Sequence, residues 1–406
     1  MKKQQRSSAG TLFDYGNKSV NKDKTVKLSR CFTSEDFRKR ARRKLPDPMY
    51  HYMQGGADDE WSKANNETAF GKYELLPQTL TGVENIDMTT ELLGAKLAMP
   101  LYLAPTGMSR LFHHDHELGV AAAAQKFSTM YGVSTVATAS IEDIATACPG
   151  PKLFQVYALK DRGLTRELVA RCKATGYTAL CLTVDTPVAG NRERDLVSGM
   201  TLPPKFTLAS LLSFALSPEW VYHAITGGGF EMVNISHWVK GDQKGGVAAY
   251  INEQFDRSLT WKDAEWLANE WGGPFAIKGL ITPQDAVKAR DHGASAVMIS
   301  NHGGRQLDCV PAPIDMVAPI RDAVGDSLEL IVEGGVRRGT DVLKALALGA
   351  NACSFGRPYL YGLAAGGQAG VERVLSLIRA ELERDMALLG CKSVADISKS
   401  CIQKCI

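Results

Sequence analysis

The sequence predicts an α/β protein built as a closed barrel of eight parallel strands and eight helices, a (β/α)8 or TIM barrel. Three observations support this fold class. Short apolar runs alternate with helical patterns from about residue 100 onward, and eight such units are present. Most of the runs are too apolar to keep one face in water, which is typical of parallel strands covered by helices on both sides. A length of 406 residues also suits a barrel with insertions.

The eight predicted strands are Leu101–Pro105, Ser134–Thr138, Leu153–Tyr157, Ala179–Asp185, Phe275–Gly279, Ala296–Asn301, Leu328–Gly334 and Ala352–Gly356. Helices with a 3.6-residue apolar stripe lie between them, for example Arg162–Thr175, Thr282–His292, Ile314–Val324 and Thr340–Leu348. A glycine follows each of these helices, as expected just past a helix end. A doubly wound sheet would instead need a Gly-rich turn after the first strand, and Ala104–Met108 does not match that fingerprint.

Four regions lie outside the repeat. Residues 1–30 form a basic N-terminal arm, and residues 31–99 form an N-terminal helical cover with helices at Ser34–Leu45 and Tyr50–Gly56. A long insertion, about 186–260, follows strand 4 and precedes its helix, and residues 391–406 form a C-terminal tail of the barrel domain 31–390. Within the insertion, Phe206–Ile225 is apolar but interrupted by polar residues. It fits an interfacial segment, a loop packed on its own chain or a subunit contact.

The charge distribution and the cysteines limit the partners and the location. The net charge of +3 gives no nucleic-acid signal. Residues 1–44 contain fourteen Lys and Arg against four Asp and Glu, so a basic arm of +10 precedes a body of −7. Such an arm is a solvated tail or a contact for anionic lipid. Nine cysteines without a zinc-type CxxC pair, and no apolar signal or spanning segment, predict a cytoplasmic protein without a metal site.

Barrel enzymes place their chemistry at the carboxyl ends of the strands. The last two ends are followed by Glu333-Gly-Gly-Val-Arg-Arg-Gly339 and by Gly356-Arg-Pro358. These loops are the usual phosphate site of a barrel, where glycine lets the backbone come close and arginine adds charged donors. The alternative is that the glycines are only turns. The sequence favours a ligand with a phosphate group.

Lys278 ends the fifth strand within an apolar run, where a lysine is costly unless it meets an anion. A reduced flavin, which builds negative charge on its ring, is such a partner. A neighbouring carboxylate is an equally good one.

The segment Ser300–Asp308, just past strand 6, contains the best candidate for a general base. His302 can change its protonation near neutral pH, and Arg305 can hold a carboxylate with two parallel hydrogen bonds. Asp185, from the end of strand 4, could stabilise the protonated imidazole. A lone histidine is more often structural, but Gly303 and Gly304 leave room for a ligand beside this one.

These motifs resemble those of the FMN-dependent L-2-hydroxy-acid oxidases and dehydrogenases, the family of glycolate oxidase, flavin L-lactate dehydrogenase and mandelate dehydrogenase. The resemblance runs from about Asp36 to Leu389. Its most specific part is Ser-Asn-His-Gly-Gly-Arg-Gln-Leu-Asp308, in register with Thr-Val-Asp-Thr-Pro187, Phe-Gln-Val-Tyr157 and Gly-Gly-Val-Arg-Arg-Gly339.

The resemblance implies a role for each matching position. His302 would take a proton from the substrate, and Asp185 would stabilise the charged imidazole. The implied substrate-binding residues are Tyr52, Tyr157, Arg192 and Arg305. The implied FMN-binding residues are Thr106, Gly107, Ser134, Gln155, Thr183, Lys278, Ser300, Glu333, Gly335, Arg337, Gly356 and Arg357.

We therefore expect oxidation of an L-2-hydroxy acid, L-lactate to pyruvate, with electrons passed to a quinone or a cytochrome. Gly107 stands where the oxidases commonly have Ala, which favours a dehydrogenase, and Glu333 stands where the family often has Asp. The alternatives are an oxidase of glycolate or lactate that reduces O2 to H2O2, and a flavin- or phosphate-binding barrel without redox turnover. The resemblance also implies a homotetramer, and the insertion and arm fit peripheral contact with the inner face of a membrane.

Overall fold

The computed structural model describes residues 28–157, 159–200, 205–227, 229–238 and 255–405. Eight parallel strands form a closed barrel, which confirms the predicted fold class. The strands are β1 Leu101–Thr106, β2 Tyr131–Ser134, β3 Lys152–Tyr157, β4 Ala179–Thr183, β5 Phe275–Leu280, β6 Ala296–Ser300, β7 Glu329–Glu333 and β8 Ala352–Phe355. Each strand pairs with its neighbours in sequence, and β8 closes the barrel on β1. All carboxyl ends therefore open at the same rim.

The predicted position of the second strand was wrong. Ser134–Thr138 is rich in β-branched residues, but only Ser134 belongs to β2. The register with β3 pairs Tyr131 with Lys152 and Ser134 with Gln155, and the chain turns directly afterwards. Gly132 makes the true strand look like a turn. A Cβ atom there would lie 2.7 Å from Pro105 Cδ, so glycine is required by the close approach of β1.

Helices cover the outside of the barrel, with α1 to α3 forming the N-terminal cover and α7 to α9 belonging to the insertion. They are α1 Ser34–Lys44, α2 Asp47–Gln54, α3 Trp61–Thr68, α4 His116–Lys126, α5 Ile141–Ala147, α6 Arg162–Ala174, α7 Glu193–Ser198, α8 Leu208–Ala215, α9 Pro218–Thr226, α10 Trp261–Trp271, α11 Pro283–Asp291, α12 Pro313–Val324, α13 Gly339–Ala347 and α14 Arg357–Leu389. The last of these is broken by a kink at Gly366 and Gly367, whose backbone angles are not helical. The predicted barrel helices agree with these bounds within one residue at each end. The helix predicted at Tyr50–Gly56 begins earlier, at Asp47, with proline on either side of its first residue.

The barrel interior is closed at its amino end by an apolar plug. The short antiparallel pair Thr90–Leu92 and Ala95–Leu97 places buried leucines against the inward side chains of the strands. Tyr102 and Met298 pack there with almost no exposure. In the described barrel, polar side chains therefore converge at the opposite end, the carboxyl rim.

The insertion, in its described part, is helical and lies across the carboxyl rim. The apolar segment Phe206–Ile225 forms α8 and α9, and α9 has no buried residue. Large apolar side chains are exposed along both helices: Leu208, Leu212, Leu216, Tyr222 and Ile225. None of the described helices combines the length and the apolarity needed to span a bilayer. The basic arm, apart from residues 28–30, lies outside the described residues.

Candidate active site

A pocket at the carboxyl rim brings together most of the residues predicted from the sequence. Its lining includes Tyr52, Thr106, Gly107, Ser134, Tyr157, Arg192, Lys278, His302, Arg305, Glu333, Gly335, Arg337, Gly356 and Arg357. The other four, Gln155, Thr183, Asp185 and Ser300, lie behind this wall at the ends of β3, β4 and β6 or just beyond. Residues more than 300 positions apart are thus gathered in one cavity because every strand ends at the same rim.

His302 and Asp185 form a hydrogen-bonded pair across the rim. Nδ1 of His302 lies 2.9 Å from Oδ1 of Asp185, and both side chains are largely buried. Burial by itself raises the pKa of Asp185, but the charges of His302 and Lys278 outweigh it and leave this pKa below its usual value. The carboxylate is therefore ionised at neutral pH. Nδ1 faces the carboxylate, so Nε2 is the atom left for chemistry.

The backbone of His302 is left-handed, with φ of 57°. This conformation is uncommon for a residue with a side chain. Gly303 and Gly304 continue it, with φ of 65° and 73°. The sequence suggested that these glycines leave room for a ligand, but the structure gives another reason. A Cβ atom at Gly303 would lie 2.9 Å from Arg357 Nη1, and a Cβ atom at Gly304 would lie 2.5 Å from the backbone nitrogen of Lys63. Other protein atoms therefore occupy the space that side chains at these two positions would need.

Two guanidinium groups lie close to the ring of Tyr52, with their Cζ atoms 5.1 Å (Arg305) and 5.5 Å (Arg192) from its centroid. Arg305 Nη1 donates to the carbonyl oxygens of Tyr52, at 2.7 Å, and Gly55, at 3.0 Å, which fixes its position. Burial and then the charge of Arg192 lower the pKa of Arg305 to about 10. A bound carboxylate would relieve this concentration of positive charge. Tyr157 completes this part of the pocket, and burial raises its pKa to about 12.

Lys278 is paired with Glu333, with Nζ and Oε1 2.6 Å apart. The sequence left open whether this lysine meets a ligand or a neighbouring carboxylate, and the structure shows the carboxylate. Burial lowers the pKa of Lys278, but Glu333 and Asp185 raise it further, so the net shift is upward and the ammonium is retained. Ser300 lies between the two, accepting from Lys278 at 3.2 Å and donating to Glu333 at 3.1 Å. Both charged groups still line the pocket.

The ends of β2, β3 and β4 fit an isoalloxazine ring. Gln155 Nε2 and Thr183 Oγ1 are buried and have no hydrogen-bond partner among the described residues. Buried polar atoms are nearly always satisfied, so these two point to a ligand that offers both acceptors and donors. The Oε1 atom of Gln155 already accepts from Ser134 Oγ at 2.9 Å, which leaves its Nε2 free to donate to the ligand.

The loops after β7 and β8 have the close backbone approach expected at a phosphate site. Gly334 and Gly335 have φ of 134° and 83°, and a Cβ atom at Gly335 would lie 1.8 Å from the Asn66 carbonyl oxygen. Gly356 precedes the first turn of α14, where N–H groups other than at Pro358, which has none, can bind an anion. Arg357 and Arg337 line the same end. In this structure Arg357 donates to backbone oxygens, and Arg337 pairs with Glu67 at 2.6 Å.

The sequence did not reveal how the N-terminal cover holds the loop after β6. Asn66 and Asn301 exchange two amide hydrogen bonds, at 2.7 and 2.8 Å, and both are buried. Asp308 accepts from the backbone of Trp61 and Ser62 and so caps α3. These partners are more than 230 residues apart, and no local pattern links them. They position the loop that contains His302.

Known proteins with similar sequences include glycolate oxidases. The profile of the family described as FMN-dependent dehydrogenase matches residues 41–404. Glycolate oxidase of Spinacia oleracea is 42% identical over 360 residues, which are 89% of this chain and 92% of that protein. Glycolate oxidase 3 of Arabidopsis thaliana is 40% identical over 368 residues, 91% and 95% of the two chains.

Solved structures of similar proteins have the same architecture. The monotopic membrane protein (S)-mandelate dehydrogenase superposes with a TM-score of 0.88 at 36% identity, covering 92% of this chain and all of that one. A protein described as a lactate oxidase of Pediococcus acidilactici gives a TM-score of 0.79 at 32% identity, covering 93% and 95%.

Proposed function

The chain belongs to the family of FMN-dependent 2-hydroxy-acid dehydrogenases and oxidases, and we propose that its substrate is an L-2-hydroxy acid, of which L-lactate, giving pyruvate, is the simplest suitable member. One observation carries this proposal. A histidine with a carboxylate 2.9 Å from its Nδ1 atom lies in the same pocket as Arg305 and Arg192. A base beside a carboxylate clamp is what removal of a proton from a hydroxy acid requires.

In this proposal each residue of the pocket has a distinct role. Arg305 and Arg192 bind the carboxylate beside the ring of Tyr52, so the substrate binds in one orientation. The Tyr157 hydroxyl group, which stays protonated, donates to the substrate oxygen. His302 Nε2 takes the proton, and Asp185 stabilises the imidazolium that results. FMN, when bound, supplies the acceptor for the two electrons that leave the substrate.

Two routes differ in the proton that His302 takes. It accepts the hydroxyl proton while the hydrogen on C2 leaves as hydride, or it takes the proton from C2 first. We propose the first route, because Tyr157 and His302 can then act on the same substrate oxygen. If the substrate deuterium isotope effect and the solvent isotope effect on flavin reduction both arise in one step, the result would support this route. A solvent effect separated from C–H cleavage would contradict it.

The test of the proposed function is anaerobic bleaching of the bound flavin by L-lactate. His302→Ala should keep FMN bound, because the histidine is not part of the phosphate end, and should reduce it at least about 10³-fold more slowly. His292→Ala, which removes a partly buried imidazole directly after α11, is the matched control and should behave as wild type. Normal reduction in His302→Ala would remove this residue from the mechanism.

We propose a quinone or a cytochrome as the electron acceptor. A Cβ atom at Gly107 would lie 2.3 Å from Val136 Cγ2, so this position cannot hold alanine unless Val136 moves. The packing of this pocket wall therefore favours glycine at position 107. Glycine in place of the alanine common in the oxidases is the feature that indicates a dehydrogenase. The alternative acceptor is O2, which the relationship to glycolate oxidases favours. Reoxidation of the reduced enzyme by air and by a quinone analogue separates the two, and rapid H2O2 release would establish an oxidase.

We also propose that α8 and α9 contact an anionic membrane surface. Leu208 and Ile225 are 85% and 78% exposed, which is unfavourable in water. Asp47 N donates to Ser213 Oγ, so the end of α1, with exposed Arg42 and Arg43, lies near this apolar surface. Leucines flanked by cations suit anionic lipid. The similar mandelate dehydrogenase is a monotopic membrane protein.

Vesicle flotation tests the membrane contact. Leu208→Ser with Leu212→Ser should reduce binding to anionic vesicles by about tenfold or more, since each leucine contributes roughly 1.5–3 kcal/mol when fully buried. Leu388→Ser, on α14, removes an equally exposed leucine from another surface and should leave binding unchanged. Equal binding of all variants would contradict the proposal. The homotetramer stays a prediction that sedimentation can test. The location in the cytoplasm, at the inner face of the membrane, also stays a prediction, and cell fractionation can test it.

A further inference from the structure

A second cavity, of about 710 Å³, lies directly outside the substrate pocket and beneath the helices of the insertion. We call it the apolar chamber. It is continuous with the active-site pocket because the two share five lining residues: Tyr52, Val136, Tyr157, Arg192 and His302. The chamber therefore begins where the reacting carbon of a substrate would lie, and it extends away from the phosphate end.

The chamber is lined mainly by large apolar side chains. Its described wall includes Met49, Met108, Met200 and Met232. Methionine is flexible and polarizable, and it adapts to apolar ligands of varied shape.

The far wall is a row of aromatic rings. Phe214 lies 5.4 Å from Trp220, and Trp220 stacks on Phe230 at 5.8 Å. The indole N–H of Trp220 donates to the Leu111 carbonyl oxygen at 2.9 Å, so the ring presents only its apolar surface to the cavity. A ligand can therefore make apolar contacts with this wall but receives no hydrogen bond from the indole.

The polar groups of the chamber are concentrated at its inner end. Gln306 Nε2 donates to the carbonyl oxygens of Asp185 and Val188, at 2.9 and 2.8 Å, and is thus directed away from a ligand. Asp195 lies 3.3 Å from Arg192. A ligand whose charged group is held by the arginine pair would therefore meet mostly carbon beyond it.

We propose that the apolar chamber receives the side chain of the substrate, and that the preferred substrates are L-2-hydroxy acids with long alkyl or arylalkyl side chains. This inference rests on the proposed function. The methyl group of lactate needs little of a cavity whose size is typical of drug-sized ligands. With the carboxylate on Arg305 and C2 beside His302, the remaining substituent has a continuous apolar path between Val136 and Tyr157 toward Phe214.

A chain-length series tests this inference. Each buried methylene group contributes about 0.8 kcal/mol, so kcat/KM for flavin reduction should rise about fourfold per methylene from L-lactate through L-2-hydroxyhexanoate to L-2-hydroxyoctanoate. Binding of the corresponding 2-oxo acids, measured by calorimetry on the oxidised holoenzyme, should tighten in parallel. A flat or falling profile in both measurements would overturn the inference.

A matched pair of variants locates the effect. Leu211 lines the chamber, whereas the next residue, Leu212, is not part of its lining and is similarly exposed. Leu211→Trp narrows the cavity and should lower the ratio of octanoate-type to lactate activity by about tenfold, the equivalent of nearly two methylene contacts. Leu212→Trp should keep the wild-type ratio. The ratio is independent of the amount of folded, FMN-loaded enzyme.

Ala224→Trp, from α9, provides a second obstruction inside the cavity and should change the ratio in the same direction. If both obstructing variants kept the wild-type ratio, the side chain would not occupy the chamber. Failure of the proposed function gives a different result, because then no hydroxy acid of any length would bleach the flavin. Bleaching by lactate without any dependence on chain length would contradict only the chamber proposal.

Discussion

Replacing Asp185 by Asn tests the charge arrangement of the active site while preserving its shape. The side chains have the same size, and the Asn carbonyl oxygen can still accept from His302 Nδ1 at the 2.9 Å separation seen for Asp185. What the substitution removes is the negative charge that faces the imidazolium after proton transfer. Gly279 packs directly against this carboxylate, since a Cβ atom at position 279 would lie 2.6 Å from Asp185 Cβ, so no side chain at position 279 could be accommodated.

The magnitude follows from the distance and the burial. Two unit charges 2.9 Å apart at an effective dielectric constant of about 20 interact by about 6 kcal/mol, which is an upper limit. A hydrogen bond to a charged group contributes about 1.5–3 kcal/mol, whereas the neutral bond that Asn can keep contributes about 0.5–1.5 kcal/mol. Both side chains are mostly buried, so we expect a value between the hydrogen-bond difference and the charge–charge limit, about 3–4 kcal/mol. That corresponds to a decrease of about 200- to 1000-fold in the rate of flavin reduction.

The assay is anaerobic stopped-flow bleaching of the flavin over a range of L-lactate concentrations. The limiting rate should fall, whereas the apparent Kd for lactate should change little, because Asp185 does not belong to the arginine pair. The FMN content of the purified variant provides the control for folding. A limiting rate within about threefold of wild type would refute the argument that Asp185 stabilises a charged histidine.

Three further predictions concern the substrate clamp, the cofactor site and the cover. Arg305→Lys should raise the Kd for lactate by about 10- to 100-fold, measured by flavin reduction, because lysine cannot make the two parallel bonds. Gly335→Ala should be purified largely without FMN and with a lower Tm, because a methyl group would collide with the Asn66 carbonyl oxygen 1.8 Å away and φ is 83°; a fully loaded variant would contradict this. Asp308→Asn should lower the free energy of unfolding by about 1 kcal/mol at pH 7. Burial raises the pKa of Asp308, but backbone and side-chain hydrogen-bond donors lower it further, so the net shift is downward. The ionised carboxylate therefore stabilises the fold at any pH above the pKa that Asp308 has in the unfolded chain, and this stabilisation is lost as the pH falls. The difference in urea midpoint should therefore disappear as the pH falls below about 4.

The barrel and its chemistry could be predicted because they depend on local patterns. A buried parallel strand is apolar along its whole length, so Lys278 at the end of such a strand is conspicuous in the sequence. The fold class, the family and the FMN cofactor are confirmed, whereas the roles of individual site residues stay predictions. The second strand was misplaced because Gly132, which β1 requires, looks like a turn in the sequence.

Features that depend on distant contacts could not be predicted. The apolar chamber combines Met49 from the N-terminal cover, Val136 after β2 and Trp220 from the insertion. Each of these residues is an ordinary apolar residue in its own segment. Their convergence depends on how the insertion folds back over the rim, and no spacing in the sequence encodes that. The same holds for Asn66 and Asn301, which only the folded chain brings together.

The loop after β6 shows why a specific motif is not the same as a list of reacting groups. His302 and Arg305 are its members that line the pocket as charged or ionisable groups. Asn301 and Asp308 bind the N-terminal cover, and Gln306 fixes the chain beyond β4. A left-handed backbone at the histidine costs free energy, and these bonds on both sides are what can maintain it. The length of the motif therefore reflects the number of contacts needed to hold one imidazole in place, and substitutions at Asn301 or Asp308 should affect the rate through the position of His302.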